Sequence, residues 1–497
     1  MSSPRQPVAS HDPRTRLLLA GPIAPTLLRL AAPNILVMVA QASVGLIETY
    51  FVGKLGTEAL AGMALVFPLV MLMQMMSAGA MGGGIASAIA RALGARRPVD
   101  ANALLVHAVV VALGFGLLFT LAMIASGPWL YARMGGAGAT LDAALTYSNW
   151  VFSGALLVWL FNSLAAAIRG TGNMMVPAVV TCAGVVALVP LSPLLIFGWG
   201  PVPGLGIAGG AIALLSYYVL GTIALAAYLA SGASLLRATA GSLGLRWGLF
   251  RNILAVGLAG TVSAVATNVS IAVATALAGG FGAAAIAGYG TAARLEYLLI
   301  PLVFGLGAPL VAMVGACIGA GLPDRALRAT WIGAGIAVAL TETIGLLAAI
   351  FPRQWLSLFD RDPLMLEAGT VYLRTVGPLY GFFGLGLLLY FASQGAGRLF
   401  WPVTANILRL AVAAAGGWLA LRWGGSLSHV FAAQGAALVV YGVVSAAAIA
   451  GGAWFGPVRV RHRRRTQPAD ASCGRFASRK NSEPDPTITA RTVNPDR

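Results

Sequence analysis

The run from Pro33 to Gly62, PNILVMVAQASVGLIETYFVGKLGTEALAG, is apolar enough to cross a bilayer, yet it carries Asn34, Gln41 and Glu48 at intervals of seven residues. Seven residues are almost two turns of α-helix, so the three polar groups share one face with about 20° of drift per step. A carboxylate at the bilayer centre costs about 2.5–3.5 kcal/mol on insertion scales and normally faces protein or an aqueous cavity. The stripe therefore reads as the lining of a transport cavity, with Glu48 as its titratable group. The competing reading puts Glu48 at the lipid–water boundary near Lys54, where its charge costs little.

The composition extends this reading to the whole chain. Of 497 residues, 58% are hydrophobic and only 9% charged, against about 25% charged in soluble domains. Apolar runs of spanning length recur from end to end, the mark of a polytopic helical membrane protein. Glycine contributes 63 residues, which favours close helix–helix approach in lipid. The net charge of +17 sits mainly in loops and in an Arg-rich tail, so it fits membrane orientation rather than a nucleic-acid partner. Cys182, Cys317 and Cys473 form no disulfide or metal framework.

Twelve spans are expected near 27–51, 62–86, 104–126, 148–168, 176–198, 205–230, 250–279, 284–316, 329–350, 371–393, 402–422 and 430–455. Span 2 is expected to end in a flexible run, GAMGGG, and span 5 to be bent or broken at Pro190 and Pro193. The resulting organisation is a tail over 1–24, an N-lobe over 25–230, a linker over 231–249, a C-lobe over 250–455, and a disordered basic tail over 456–497. Arginines crowd the loops on the side of the termini, whereas the opposite loops hold Lys54, Arg133, Arg353, Arg361 and Arg422. That asymmetry predicts a plasma (inner) membrane protein with both termini and the linker in the cytoplasm.

An internal repeat divides the spans into two sixes. LGTEALAGMA (55–64) matches FGAAAIAGYG (281–290), with Gly56 on Gly282 at an offset of 226. RGTGNMMVP (169–177) matches QGAGRLFWP (394–402), and Pro98 pairs with Pro323, both at 225. Two halves with an even number of spans insert the same way, so they are related by a pseudo-twofold axis along the membrane normal. The fold class is an all-α membrane protein, twelve transmembrane helices in two six-helix bundles. A central cavity lies where the bundles meet, in an alternating-access architecture.

LIETYFVGKLGTEALAG, the RGTGN and QGAGR turns, and IAGYGTAARLEYLLIPLVFGLGAPLVAMVGACIGAG resemble the multidrug and toxic compound extrusion (MATE) family over about 27–455. The resemblance implies a two-lobe exporter, an antiporter exchanging organic cations or amphipathic drugs for protons or sodium ions. Where the family has Asp late in span 1, this chain has Glu48, which keeps the charge. Where many members have Asn and Asp four apart in span 5, this chain has Leu188 and Ser192. The second carboxylate is thus absent, and Asn268 stands near the span 7 Glu of the sodium-coupled branch. Both departures tilt the coupling ion toward protons.

The remaining intramembrane polar groups complete the candidate list. Asn162 is similar to cavity asparagines of the family, or bonds a neighbouring helix. Asn268 forms a seven-spaced row with Thr261 and Thr275, whose hydroxyls are expected on their own helix carbonyls. Tyr289, Arg294 and Glu296 in span 8 are further cavity candidates, and Arg294 and Glu296 should not pair, being two apart on a helix. His107 reads as a structural histidine, and Glu342 has no evident partner. No HExxH, phosphate loop or nucleophile–base arrangement points to an enzyme, and no cofactor or metal is expected. The protein is expected to be monomeric. The alternative function is a flippase for lipid-linked oligosaccharides, which needs basic residues inside the spans; Arg294, Arg374 and Arg409 are the candidates.

Overall fold

Span 1 is a continuous helix, Ile23–Gly53. It follows a short helix, Pro13–Ala20, whose start is capped by the Asp12 carboxylate accepting from the Arg14 amide. The computed structural model describes residues 12–454 apart from 238–243 and 360. The tail readings for 1–11 and 456–497, Cys473 included, lie outside the described residues.

Among the described residues, eleven helices are long and apolar enough to cross a membrane, or twelve when one bent pair is counted as a span. About 20 residues suffice for a 30 Å hydrocarbon core, and these elements run from 23 to 38 residues. Span 2 is Thr57–Gly94, span 3 Pro98–Arg133, span 5 Met175–Phe197, span 6 Ile207–Ala230 and span 7 Trp247–Gly279. Span 8 is Ala283–Gly319, span 9 Pro323–Ile350, span 10 Pro363–Ala396, span 11 Phe400–Arg422 and span 12 Leu427–Ala450. Span 4 is the bent pair, Gly138–Ser153 and Ala155–Gly170, meeting at 46° beside Gly154. The result is the all-α, two-bundle fold, with one two-residue hairpin (Gly198–Trp199 with Val202–Pro203) joining spans 5 and 6.

Two local expectations are corrected. The GAMGGG run does not fray. Span 2 passes through a π-helical turn, Met75–Met81, and resumes as the α-helix Gly82–Gly94. Side chains from both halves hold that turn: Asn162 Nδ2 donates to Ser77 Oγ (2.9 Å), and Gln394 Nε2 donates to the carbonyls of Gly79 (3.1 Å) and Ala80 (3.3 Å). Span 5, in turn, stays one helix through Pro190 and Pro193. The two prolines fall in its last turns, so the only carbonyls they deprive of a donor are those of Val186 and Val189. The irregular points lie elsewhere: span 4 bends beside Gly154, and span 10 passes through a 3₁₀ turn, Gly377–Leu379. Glu342 finds its partner there: its Oε2 accepts from the Gly381 amide (2.7 Å) in the first turn of the resumed helix. A carboxylate is favoured at that end by the exposed N–H groups and the helix dipole.

The halves press together on the side bearing the termini. Span 2 crosses span 8 so closely that a Cβ on Gly94 would strike the Ala316 carbonyl, and one on Gly319 the Arg91 carbonyl. Only glycine allows that backbone approach. Arg91 Nη1 donates across the seam to the Gly395 carbonyl (3.0 Å). The repeat is legible in packing too. Gly62 on span 2 lies against Ala143 and Ala144 of span 4, and its counterpart Gly288 lies against Ala368 and Gly369 of span 10.

Candidate functional site

Beyond that seam the halves part around a cavity of about 360 Å³, lined from spans 1, 2, 4 and 6 of one half and spans 7, 8, 10, 11 and 12 of the other. Its wall is aromatic and thioether-rich: Phe67, Phe304, Phe383, Tyr390, Met38 and Met75 are representative. Such surfaces accommodate varied apolar shapes with few fixed polar contacts. Among the described residues the lining holds one acidic side chain, Glu48 from span 1, and one basic side chain, Arg409 from span 11.

Glu48 is 2% exposed, so the boundary reading beside Lys54 is not what the fold builds; Lys54 instead lies over the Tyr50 ring, 4.6 Å from its centroid. Tyr147 Oη of span 4 donates to Glu48 Oε2 (2.8 Å), and among the described residues Oε1 has no hydrogen-bond partner. A buried acceptor left unpaired costs about 1–3 kcal/mol, so Oε1 is the Glu48 oxygen able to accept from a proton donor or to attract a cation. Behind this wall Asn162 Nδ2 donates to Gln74 Oε1 (3.0 Å), and Gln74 Nε2 donates to Tyr218 Oη. Gln74 and Tyr218 line the cavity while Asn162 fixes them from the rear. Leu188 and Ser192 of span 5 are buried, and the Ser192 hydroxyl has no partner.

The rest of the seven-spaced stripe divides. Gln41 lines the cavity. Asn34 does not: it is 1% exposed, and its Nδ2 donates to the Phe304 and Gly305 carbonyls of span 8 (3.2 and 3.3 Å). Pro309 offers no N–H to Gly305, so Asn34 supplies the donor that the helix lacks there. Asn268 is exposed and bonds its own helix at the Ala264 carbonyl (2.9 Å) with its amide 3.5 Å from Met75 sulfur, while Thr267 faces the cavity. Thr261 and Thr275 bond their own helix carbonyls as expected. Arg294 is exposed and lies over the Phe359 ring, and Arg374 is exposed; neither lines the central cavity.

Glu296 and Tyr289 belong to a second, much smaller cavity inside the C-terminal half, about 20 Å³, lined also by Ser270, Ala274, Tyr372 and Arg409. That is room for about one water. Glu296 Oε1 accepts from Arg409 Nη2 (2.9 Å) and Oε2 from Tyr372 Oη (3.1 Å). Arg409 thus spans the wall between the two cavities. Arg294 and Glu296, two apart, indeed diverge. Sequence reasoning left Tyr147, Gln74 and Tyr218 out of the site and named Arg409 only as a basic candidate for the flippase alternative, together with Arg294 and Arg374. The repeat held a usable signal, since Tyr147 and Tyr372 are separated by its offset of 225.

Comparison with known proteins bears on this site. The MatE family model matches residues 33–194 and 261–419, one segment per half. The FAD transporter of Shewanella oneidensis is 27% identical over 398 residues, 79% of this chain and 87% of that protein. A probable multidrug resistance protein, NorM, of Deinococcus radiodurans is 29% identical over 362 residues, 70% of this chain and 76% of that protein. Among solved structures, a MOP superfamily transporter from Pyrococcus furiosus superposes with a TM-score of 0.80 at 23% identity, over 88% of this chain and 97% of that one. A MATE structure in a bent conformation gives 0.82 at 23% identity, over 88% and 96%.

Proposed function

The chain belongs to the multidrug and toxic compound extrusion (MATE) transporters, and from that premise we propose that it exports amphipathic aromatic compounds, organic cations among them, in exchange for protons by alternating access, with Glu48 as the coupling group. One observation carries the reading: a buried carboxylate on the wall of the central cavity, held by Tyr147 on one oxygen and unpartnered on the other. An organic cation in that cavity is attracted by the ionised carboxylate. A proton on Glu48 removes the attraction, so the two ligands exclude one another. By linkage, the cation binds more weakly as pH falls through the titration of Glu48.

Protons are favoured over sodium because sodium takes several hard oxygen ligands. Span 5 supplies Leu188 and Ser192 where a second carboxylate would stand, and among the described residues no three His, Cys, Asp or Glu side chains gather as a cation site. The relatives named as drug-resistance and FAD transporters support a small-molecule substrate. A flippase for lipid-linked oligosaccharides would need several basic groups against pyrophosphate; the central cavity offers Arg409 alone. The arginine-rich loops support cytoplasmic termini in an inner membrane, which makes the seam at Gly94 and Gly319 the cytoplasmic closure. The exporter is proposed to work as a monomer, each chain enclosing its own cavity.

Proteoliposomes with imposed proton or sodium gradients and a panel of fluorescent organic cations test the reading. Cation movement driven by the proton gradient is expected. Scrambling of a lipid-linked sugar with neither gradient, and no cation movement, would overturn it.

A further inference from the structure

We propose that Arg409 is an anion-recognition group of the central cavity, so that preferred substrates carry an acidic group, carboxylate or phosphate, on an aromatic framework. This rests on the export reading and names the substrate class of the same cavity. The argument begins with donors. A guanidinium carries five N–H donors in a fixed fork, and Arg409, 8% exposed, gives Nη2 to Glu296; among the described residues its Nε and Nη1 have no protein acceptor. Neither nitrogen is among the fully buried unpartnered atoms, and both belong to a residue on the cavity wall, so they are open to an acceptor inside the cavity.

The surroundings suit a planar partner. The Arg409 guanidinium carbon lies 5.4 Å from the Phe383 ring centroid and 5.7 Å from that of Tyr441, and both rings line the central cavity. Glu296 does not line it; it grips Arg409 from the smaller cavity behind, steadied by Tyr372. The guanidinium is thereby held from the rear through Nη2, with its other N–H groups left to donate charge-assisted hydrogen bonds to a carboxylate or phosphate in the cavity. Glu48 stands on the opposite half, so the cavity is bipolar. Acid recognition falls to the C-terminal half and cation or proton recognition to the N-terminal half, with aromatic walls between them.

Because the Arg409–Glu296 pair is neutral, a substrate acid competes with Glu296 for the guanidinium. Neutralising Glu296 therefore favours the substrate, which a merely structural tether between spans 8 and 11 would not do. The test is binding to the purified full chain in nanodiscs, by fluorescence polarisation, of a xanthene fluorophore bearing a free carboxylate and of its methyl ester, a cation of the same shape. Wild type is expected to prefer the acid by about tenfold. Glu296→Gln should widen the ratio, and the double variant Glu296→Gln/Arg409→Gln, which leaves no unpaired charge, should bring it to about one. Ester bound as well as acid in wild type, or an acid preference that survives in the double variant, would overturn the proposal while leaving the export reading intact. Failure of wild type to bind either probe would sink both.

Discussion

The two halves hold equivalent tyrosines in front of carboxylates that come from different helices. Tyr147 on span 4 donates to Glu48 of span 1; Tyr372, its repeat partner on span 10, donates to Glu296 of span 8. Span 7 is the repeat of span 1, and at the offset of 226 that aligns Gly56 with Gly282 the counterpart of Glu48 is Ala274. Ala274 lines the small C-terminal cavity, where the missing carboxylate would have projected, and Glu296 fills that role from span 8. The consequence is electrical. Glu296 has Arg409 at 2.9 Å, whereas Glu48 has no basic partner among the described residues. The same tyrosine scaffold thus presents a charge already answered in one half and an unanswered one in the other. Duplicated bundles can thereby divide labour: the unanswered charge is available to mobile ligands, the answered one to positioning.

The sharpest way to break this comparison is to neutralise each carboxylate in turn. Glu48→Gln should insert normally but lose gradient-driven cation export by at least about a hundredfold, since it mimics the protonated state permanently. Glu48→Asp, which keeps the charge, should retain part of the activity. Glu296→Gln should keep its dependence on the proton gradient, because the group that it removes is already paired. Transport against an imposed gradient reads all three, and an unaltered Glu48→Gln would end the assignment.

Stability should rank the halves in the opposite order. Arg409→Ala leaves the part-buried Glu296, 16% exposed, without its counter-charge, and removing one partner of a fully buried pair costs about 3–5 kcal/mol, so the loss here should lie somewhat below that. Thermal unfolding in detergent should show that loss, and adding Glu296→Gln should restore most of it. Were Arg409→Ala as stable as wild type, the pair would be screened by water and the answered charge would be no more settled than Glu48.

Much of this was legible beforehand, and the residues show why. Span positions follow from apolar length, and the two-bundle arrangement follows from glycines and prolines recurring at one offset, because backbone approach leaves a strict sequence requirement. Glu48 stood out as a charge in an apolar run. What stayed hidden depends on tertiary partners. Asn34, Gln41 and Glu48 share a helical face, yet that face meets span 8 at one level and the cavity at another. The GAMGGG run looks loose until Asn162 and Gln394 bond it. Arg409 looks like an isolated cation inside a span until Glu296, 113 residues away in sequence, is brought beside it.

A smaller effect separates the tyrosines. Hydrogen bonds to charged groups contribute about 1.5–3 kcal/mol, and Tyr147 is the sole hydrogen-bond partner of the Glu48 side chain among the described residues. Tyr147→Phe should therefore reduce export by about tenfold or more, whereas Tyr372→Phe leaves Glu296 its arginine and should reduce it by less than about threefold. Equal losses would mean that the tyrosines serve packing and that the comparison between carboxylates is incidental to them.

The smallest expected effect concerns the two stripe residues beside Glu48, which the structure separates into scaffold and site. Asn34 meets two span 8 carbonyls, one of them left free by Pro309, at distances of 3.2 and 3.3 Å, and its own Oδ1 is unpartnered. Truncation to alanine removes two long hydrogen bonds, each contributing about 1 kcal/mol, but also removes the orphaned oxygen. The net loss should be about 1–2 kcal/mol, seen as a few degrees in thermal unfolding, with cation affinity essentially retained. Gln41 lines the cavity and has no protein hydrogen bond among the described residues. Gln41→Ala should do the reverse, leaving unfolding unchanged while shifting cation affinity by up to about threefold. If instead Asn34→Ala weakened cation binding and left unfolding untouched, the stripe would act as one surface. Span 1 would then contribute three polar groups to the cavity, and the contrast between a single unanswered charge and its paired counterpart would have to be redrawn.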